Sequence, residues 1–419
     1  MSAFDKIIGY EDIKAELIRF CDVLKNPEKY EKLGVTIPRG ILLAGEPGLG
    51  KTLMATSFIE ESGRKSFILR KDKPDGEFVN EIKRVLEEAK KEPYSVVFLY
   101  DMYKFANEDM DHKDAEEYVT IQTCIDDSKG KKLVVLATVN NQYSLPDSLR
   151  RAGRFDRIIE VEAPGEKDTK KIIEYYLEQK KISGNIDSGE MARLMTYRSC
   201  AELEEIINEA AIFAAFEERE SIEQNDIRRA WMKNVYGTIG IIDSEKREYL
   251  KTIAIHEAGH AVIAELLDAG SVNIVTVHGE GRRTGITIYR KDERRFYSAD
   301  AKEHEIMRSL GGKAATEVIC GCIDVGCDCD MANAFAVVDG LIDDLCATTF
   351  SARSFCAQNM YNDEERARRY AYKMEEFYMK AKRLIIENRT FFDAVVEELL
   401  NKELLTYKDI AEIRARVQN

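Results

Sequence analysis

The sequence has no uninterrupted apolar run near the roughly 20 residues that a membrane-spanning helix needs. Its first residues, Met1-Ser2-Ala3-Phe4-Asp5-Lys6, lack the apolar core of a secretory signal peptide. Basic residues are also outnumbered, because the sequence has 62 Lys and Arg but 76 Asp and Glu, which gives a net charge of −14. These absences predict a chain with no membrane segment, and the acidic balance argues against nucleic acid as a partner.

Histidine is scarce, and the cysteines do not indicate a disulfide framework. The nine cysteines are an odd number and most are scattered, which together with the missing signal peptide predicts a reducing, cytoplasmic compartment. Only five histidines occur in 419 residues, and two of them lie in one short stretch. The length exceeds what one hydrophobic core holds and indicates two or three domains.

The two neighbouring histidines belong to the stretch His256-Glu257-Ala258-Gly259-His260. On a helix, residues four apart lie on one face, so His256 and His260 can hold the same metal ion. Glu257 lies beside them and can take a proton from a water at the metal, which is the arrangement of zinc hydrolases. The alternative is a helix with two surface histidines, but the flanking alanines recur at helical spacing and predict a buried helix.

Hydrophobic periodicity divides the chain into four segments. Residues 1–163 alternate apolar runs with helical patterns, which predicts an α/β domain with a mostly parallel sheet. Its buried strands are predicted at Ile41–Ala44, Val96–Leu99 and Leu133–Ala137. Residues 164–235 are predicted to be helical, 236–244 to be a linker, and 245–419 to be mostly helical with short strands at Val272–Val277 and Gly285–Tyr289.

The strand predicted at Ile41–Ala44 runs into a loop of the form G-x-x-x-x-G-K-[ST]. The residues of this phosphate loop are Gly45, Glu46, Pro47, Gly48, Leu49, Gly50, Lys51 and Thr52. The backbone N–H groups of such a loop close around phosphates, while Lys51 reaches the β and γ phosphates and Thr52 can hold Mg²⁺. The strand–loop–helix context therefore predicts an ATP or ADP site rather than an ordinary glycine-rich turn.

Hydrolysis of a bound nucleotide needs acidic and polar side chains at the ends of neighbouring strands. Asp101 ends one predicted strand and can hold the magnesium or orient the attacking water. It is the one carboxylate at that strand end, whereas the two roles call for two acidic residues. Asn140 ends the next strand and can help to position that water. Arg151 and Arg154 can act as arginine fingers on the nucleotide of a neighbouring subunit, with a solvated basic turn as the alternative.

These motifs, in this order, resemble the FtsH family, in which an AAA-plus ATPase is fused to a zinc peptidase. The resemblance extends from Phe4 to about Ile413 and rests on four stretches: GEPGLGKT, NNQYSLPDSLRRAGRFDR, SCAELEEIINEAAIFAA and HEAGH. It implies that residues 1–163 are the large ATPase subdomain, 164–235 a helical lid and 245–419 the zinc metallopeptidase domain. It also implies a homo-hexamer that uses ATP to thread unfolded or tagged proteins into a proteolytic chamber.

In the ATPase half, the resemblance assigns Lys51 and Thr52 to the phosphate loop and Asn140 to the sensor position. It assigns Arg151 and Arg154 to a pair of arginine fingers. The cofactors that it implies are ATP or ADP, Mg²⁺ and Zn²⁺.

In the peptidase half, the resemblance assigns zinc to His256 and His260 and the catalytic base to Glu257. The family's third zinc ligand is an aspartate that opens a downstream helix, and Asp330 stands there, before a helix expected from about Met331. The thiol of Cys327 or Cys329 is a rival ligand, or Cys320, Cys322, Cys327 and Cys329 together form a separate metal site. Their spacing is not that of a zinc ribbon, which favours reduced thiols in a loop. Glu317 is a further carboxylate, for which we expect a supporting role.

Two motifs depart from the family pattern. The family has an Asp-Glu pair at the strand end where this chain has Tyr100-Asp101, so ATP hydrolysis is less secure than ATP binding. The family's pore loop grips substrate with an aromatic residue where this chain has Pro74, and Phe78 lies four positions later. An acidic loop without that aromatic would pull substrate poorly.

Two further expectations concern the peptidase and the membrane. The strand Ile286-Thr287-Ile288-Tyr289 resembles the family's edge strand, which can pair with an extended peptide, although an ordinary paired strand fits equally. The family's N-terminal transmembrane segments are not in this sequence. We therefore expect a cytoplasmic protein, attached to a membrane only if such segments precede it in a longer chain.

Three functions fit this sequence. The first is an ATP-dependent zinc endopeptidase that degrades proteins in a hexameric chamber. The second keeps the peptidase but gives the ATPase ring a scaffolding or gating role with weak hydrolysis or none, because of Tyr100 and Pro74. The third is a non-catalytic nucleotide-binding scaffold, against which the complete set His256, Glu257, His260 and Asp330 argues.

Overall fold

A computed structural model describes residues 2–35, 38–72, 75–106, 115–128, 132–237, 249–279, 285–290, 298–322, 327–344 and 363–418. The chain divides into two compact units, Met1–Ile227 and Arg228–Asn419. The finer boundaries at residues 163, 235 and 244 stay a prediction, and residues 238–244 of the expected linker lie outside the described part. None of the described helices is long and apolar enough to cross a membrane.

The first unit is built on a five-stranded parallel sheet in the order β2-β3-β4-β1-β5. Its strands are β1 (Gly40–Ala44), β2 (Ser66–Leu69), β3 (Ser95–Leu99), β4 (Leu133–Val139) and β5 (Arg157–Glu160). Helices surround this sheet: α1 (Glu11–Lys25), α2 (Pro27–Glu31), α3 (Lys51–Ser62), α4 (Asp75–Ala89) and α5 (Glu116–Asp127). The three inner strands are buried along their whole length, as expected for a parallel sheet covered on both faces.

Four further helices follow, and the last of them runs across the boundary between the two units: α6 (Glu166–Glu178), α7 (Ser188–Met195), α8 (Cys200–Phe216) and α9 (Gln224–Tyr236). The start of α8 is fixed by a capping box, in which Ser199 accepts from the backbone N–H of Glu202 and the Glu202 carboxylate accepts from the Ser199 N–H. Ala201 in its first turn donates a backbone hydrogen bond to Gly48 of the phosphate loop at 3.2 Å. The predicted α/β fold followed by helices is confirmed, while the assignment of these helices to a lid stays a prediction.

The second unit is mostly helical. Its helices are α10 (Leu250–Leu267), α11 (Ala299–Ser309), α12 (Gly311–Cys320), α13 (Asp328–Asp339), α14 (Asp363–Glu387), α15 (Arg389–Lys402) and α16 (Tyr407–Gln418). A π-helical turn, Gly340–Asp344, follows α13. The strands β6 (Val272–Thr276), β7 (Ile286–Tyr289) and β8 (Leu404–Thr406) form an antiparallel sheet in the order β7-β6-β8, so β7 lies at an edge.

Helix α10 is the central helix of this unit, with most of its residues from Ile253 to Glu265 buried. It crosses α12 where two glycines meet. A Cβ added at Gly259 would lie 2.4 Å from the carbonyl oxygen of Gly311, and one added at Gly311 would lie 2.7 Å from that of Gly259. Only glycine at both positions allows the backbones to approach this closely.

Candidate metal centre and nucleotide site

His256 and His260 lie one turn apart on α10, and their side chains meet that of Asp330. The Nε2 atoms of the two imidazoles are 3.0 Å apart, and each lies 3.2 Å from Oδ2 of Asp330. Among the residues that the structure describes, this is the one group of three or more His, Cys, Asp or Glu ligand atoms that all lie within 4.8 Å of each other.

The chemistry of these three atoms fits a cation. His260 Nδ1 lies 2.7 Å from the carbonyl oxygen of Arg308, which can only accept, so Nδ1 carries the proton and Nε2 presents its lone pair. Ligand atoms about 2.0–2.1 Å from a tetrahedral zinc are separated by roughly 3.3 Å, close to the distances seen here. Burial raises the pKa of Asp330, but the two neighbouring imidazoles outweigh it and hold that pKa well below its usual range. Asp330 is therefore an anion, which suits a cation at this site.

Glu257 lies beside this group and is itself buried. The hydroxyl of Thr287 in β7 donates to Oε2 of Glu257 at 2.7 Å. A Cβ at Gly285, just before the same strand, would lie 2.7 Å from Oε1, so the glycine leaves room at that oxygen. Burial raises the pKa of Glu257, while the two histidines and Thr287 act in the opposite direction.

The zinc-binding face of α10 depends on a glycine of α12. A Cβ at Gly312 would lie 2.4 Å from both Cε1 and Nε2 of His256. Any larger residue there would therefore displace the imidazole from the ligand group.

The structure corrects one detail of the third ligand and separates it from its rivals. Helix α13 begins at Asp328 and not near Met331, so Asp330 lies within its first turn. The thiols of Cys320, Cys322 and Cys329 are exposed and that of Cys327 is buried, and none of the four joins the metal-ligand group. Glu317 accepts hydrogen bonds from the hydroxyl of Tyr378 and from Nζ of Lys382 at 2.6 Å, so it ties α12 to α14. Its supporting role at the metal stays a prediction.

The phosphate loop lines a cavity of about 620 Å³ in the first unit. Gly48 and Gly50 have φ angles of +79° and +83°, and Lys51 starts α3 directly after them. Nζ of Lys51 donates to the carbonyl oxygens of Gly45 at 2.5 Å and Glu46 at 2.7 Å. Burial lowers the pKa of Lys51, although the charges of Asp101 and Glu46 act against this.

The predicted hydrolysis residues reach this cavity from neighbouring strands. Asn140 follows β4 and accepts from Nζ of Lys51 at 3.3 Å, and Asp101 follows β3 and also lines the cavity. Tyr100, at the position of the family's aspartate, has its ring centroid 4.1 Å from the guanidinium of Arg70. Asp101 has a φ angle of +49°, and Nζ of Lys104 lies 3.3 Å from its carboxylate. A single carboxylate therefore stands at this strand end.

The two predicted arginine fingers differ in their surroundings. Arg151 is exposed. Arg154 donates two hydrogen bonds to the Asp126 carboxylate, at 3.0 and 2.8 Å, and a third to the carbonyl oxygen of Ser148. Neither arginine lines the nucleotide cavity of its own chain.

The pore-loop expectation falls partly outside the described residues, which omit Lys73 and Pro74. Phe78 lies in α4 and is fully buried, with its ring centroid 4.8 Å from that of Phe105. Phe78 is therefore a core residue and not a displaced substrate-gripping aromatic.

Several residues of the metal site were missed by the sequence analysis. Thr287 had been assigned to the edge strand without a role toward Glu257, and Arg308, Gly285 and Gly312 were not singled out. The alternation of β7 places Gly285 and Thr287 on one face, and this was the signal that could have found them. The Arg308 contact is made by a backbone carbonyl, which has no signature in the sequence.

Two parts of this chain match known protein families. Residues 41–163 match the ATPase family associated with various cellular activities (AAA), and residues 241–413 match peptidase family M41. The sequence is also similar to proteins named ATP-dependent zinc metalloprotease FtsH. That of Thermobaculum terrenum is 29% identical, covering 98% of this chain and 68% of the relative. The protein of that name from Parabacteroides distasonis is 30% identical, covering 98% of this chain and 64% of the relative.

A third relative of the same name, from Mesoplasma florum, is 30% identical over 98% of this chain and 67% of its own length. This chain thus spans about two thirds of the length of these three relatives. The two family matches occur in the same order as the phosphate loop and the His256–His260 motif. The chain therefore belongs to the FtsH family of ATP-dependent zinc metalloproteases, with an AAA ATPase region followed by a family M41 peptidase region.

Proposed function

We propose that this chain is an ATP-dependent zinc endopeptidase whose peptidase site consists of His256, His260, Asp330 and Glu257. The observation that supports it best is the convergence of three lone-pair atoms, 3.0–3.2 Å apart, beside a buried carboxylate. His256, His260 and Asp330 would hold the zinc ion. When bound, zinc supplies a Lewis acid that polarises the peptide carbonyl and acidifies a water.

Glu257 is the proton carrier of this proposal. Its carboxylate takes a proton from the attacking water and returns it to the leaving amine. The hydroxyl of Thr287 occupies Oε2, and Gly285 leaves space beside Oε1, so we assign the transferred proton to Oε1. Burial, which raises the pKa of Glu257, makes the carboxylate a stronger base than an exposed one.

Substrate binding is assigned to the edge strand β7. It pairs with β6 along one side, and among the residues that the structure describes no strand pairs with its other side. An extended peptide that pairs with this edge would pass Glu257, which Thr287 of the same strand contacts. Such pairing uses main-chain hydrogen bonds and therefore imposes little sequence preference.

The test of the peptidase is the Glu257→Gln variant, compared with wild type for cleavage of an unfolded protein and for zinc content. We expect cleavage to be abolished with zinc unchanged, since the amide cannot take the proton. Retained cleavage in the purified variant would contradict the mechanism. For the ligand set, Asp330→Asn is expected to lose zinc and the neighbouring Cys329→Ser to keep it, and the opposite pattern would favour the thiols.

We further propose that the nucleotide site drives a homo-hexamer acting on unfolded or tagged proteins. The cavity at the phosphate loop and the contacts of Lys51 support ATP binding, with Mg²⁺ held by Thr52. The exposed Arg151 is available to a neighbouring subunit, while Arg154 holds its own turn through Asp126. Sedimentation with and without ATP tests the assembly, and a monomer under all conditions would refute it. The cytoplasmic location stays a prediction.

A second candidate function keeps the peptidase and makes the ATPase ring a gate or scaffold. The observation that favours it is Tyr100, whose ring stacks with Arg70 where the family has an aspartate, leaving Asp101 as the carboxylate. Two assays on the assembled wild type separate the ATP-driven protease from the gated peptidase. One measures phosphate release, and the other compares degradation of a folded and an unfolded tagged protein. Strong ATP-dependent degradation of the folded protein would refute the gate.

A further inference from the structure

One face of the edge strand β7 lies against α10, the helix that carries His256, Glu257 and His260. Gly285, Thr287 and Tyr289 are alternate residues and therefore lie on the same face. The first two both reach Glu257: a Cβ at Gly285 would touch its carboxylate, and Thr287 donates to it at 2.7 Å. Tyr289 continues this face by one further alternate position.

The ring of Tyr289 is fixed from the side of the metal centre. The guanidinium of Arg308 lies 4.3 Å from the ring centroid, a cation–π contact. The carbonyl oxygen of the same Arg308 accepts the hydrogen bond from Nδ1 of His260 at 2.7 Å. Tyr289 is therefore held between the edge strand and the residue that orients a zinc histidine.

The hydroxyl of Tyr289 is a donor without an acceptor in the described part of the chain, where no hydrogen bond to it occurs. Burial raises its pKa, the charge of Arg308 lowers it, and the carboxylates of Glu257 and Asp330 raise it again. The net direction is upward, so the hydroxyl keeps its proton. A half-buried hydroxyl on the face of β7 that contacts Glu257 fits a hydrogen bond to a ligand bound there.

We propose that Tyr289 is a further catalytic residue, whose hydroxyl donates a hydrogen bond to the scissile carbonyl oxygen as negative charge develops there. The inference rests on the proposed peptidase function. A peptide paired with β7 carries its carbonyl groups past Tyr289, and the fixed ring needs no reorganisation when the charge appears. Fixed donors of this kind act mainly on the transition state and little on the bound substrate.

The test is Tyr289→Phe, which removes only the oxygen and keeps the ring and its contact with Arg308. We expect kcat for peptide cleavage to fall roughly 100-fold with KM within about twofold, as for the loss of one oxyanion donor. Tyr372→Phe, at an exposed tyrosine of the same unit, is the matched control and is expected to match wild type. Zinc content and melting temperature should be unchanged in both variants.

A binding measurement separates this role from packing. A phosphinic peptide mimics the charged transition state, and we expect Tyr289→Phe to weaken its binding at least about 10-fold. Binding of the uncleaved substrate peptide, measured in Glu257→Gln with and without Tyr289→Phe, should change less than about twofold. A packing role would instead lower the melting temperature and weaken both ligands alike.

The outcomes distinguish the two proposals. If wild type cleaves, Glu257→Gln does not, and Tyr289→Phe equals wild type in kcat and in phosphinic peptide binding, the Tyr289 proposal is wrong and the peptidase stands. If zinc-loaded wild type cleaves no peptide or protein, the proposed function fails and the Tyr289 proposal fails with it.

Discussion

Replacing Gly312 by alanine is expected to weaken zinc binding at least about 10-fold without unfolding the protein. The added Cβ would lie 2.4 Å from Cε1 and Nε2 of His256, whereas real Cβ atoms essentially never come within 3.0 Å of another heavy atom. A retreat of α12 is opposed, because it would open the close packing of Gly311 against Gly259 of α10. The imidazole must therefore move by about 1 Å, far more than the ~0.2 Å that zinc–ligand distances tolerate.

The size of the effect follows from two opposed contributions. Disturbing the support of a zinc ligand typically costs 10- to 100-fold in metal affinity, about 1.4–2.8 kcal/mol, and displacing the ligand itself should cost at least this much. Alanine in place of a helical glycine stabilises the helix by roughly 0.5–1 kcal/mol. With the His256 ring turned away, the metal-free variant should therefore be about as stable as wild type.

The assay is zinc affinity by competition with a chelator, together with urea unfolding of the metal-free proteins. Gly340→Ala is the matched control in the same unit, since a Cβ there meets nothing within 4 Å and the backbone is already helical. We expect the control to bind zinc within about twofold of wild type and Gly312→Ala to bind at least about 10-fold more weakly. Equal zinc affinities for the two variants would refute the reasoning.

Three further predictions concern the nucleotide, the metal and the lid. Lys51→Ala should abolish binding of a fluorescent ATP analogue while zinc-dependent cleavage of a short peptide continues, and unchanged nucleotide affinity would exclude Lys51 from the phosphate site. Treatment with 1,10-phenanthroline should stop cleavage and added zinc should restore it, whereas cleavage that survives complete zinc removal would contradict a zinc peptidase. Asp226→Ala should destabilise the first unit by about 2 kcal/mol in urea, since the buried carboxylate accepts charge-assisted hydrogen bonds from both Nη atoms of Arg219 at 2.6 and 2.7 Å. An unchanged unfolding midpoint would show that this pair contributes nothing.

The strands that the sequence predicted are those in which burial is complete. β1, β3 and β4 lie inside the sheet and are buried along their length, so they appear as continuous apolar runs. β2 and β5 lie at the two edges and are partly exposed, and their short mixed sequences carry no such signal. β8 has three residues and is a strand because it pairs with β6, a partner far away in the chain.

What the sequence determined by itself is the chemistry that needs only local geometry. The four-residue spacing of His256 and His260 fixes their common face, because every helix has the same pitch, and the phosphate loop is likewise a continuous segment. The third ligand, Asp330, lies 70 residues beyond His260 and entered only through the family resemblance. Pattern alone could not choose it over the four cysteines nearby.

Only the tertiary structure decided which groups surround these motifs. The carbonyl of Arg308, the hydroxyl of Thr287 and the missing side chain of Gly312 come from three separate elements. Each acts through a contact that depends on how α11, β7 and α12 pack against α10, and a carbonyl or an absent Cβ leaves no recognisable residue type behind. The sequence therefore specified which reaction the chain is equipped for, while packing specified how its reactive atoms are oriented.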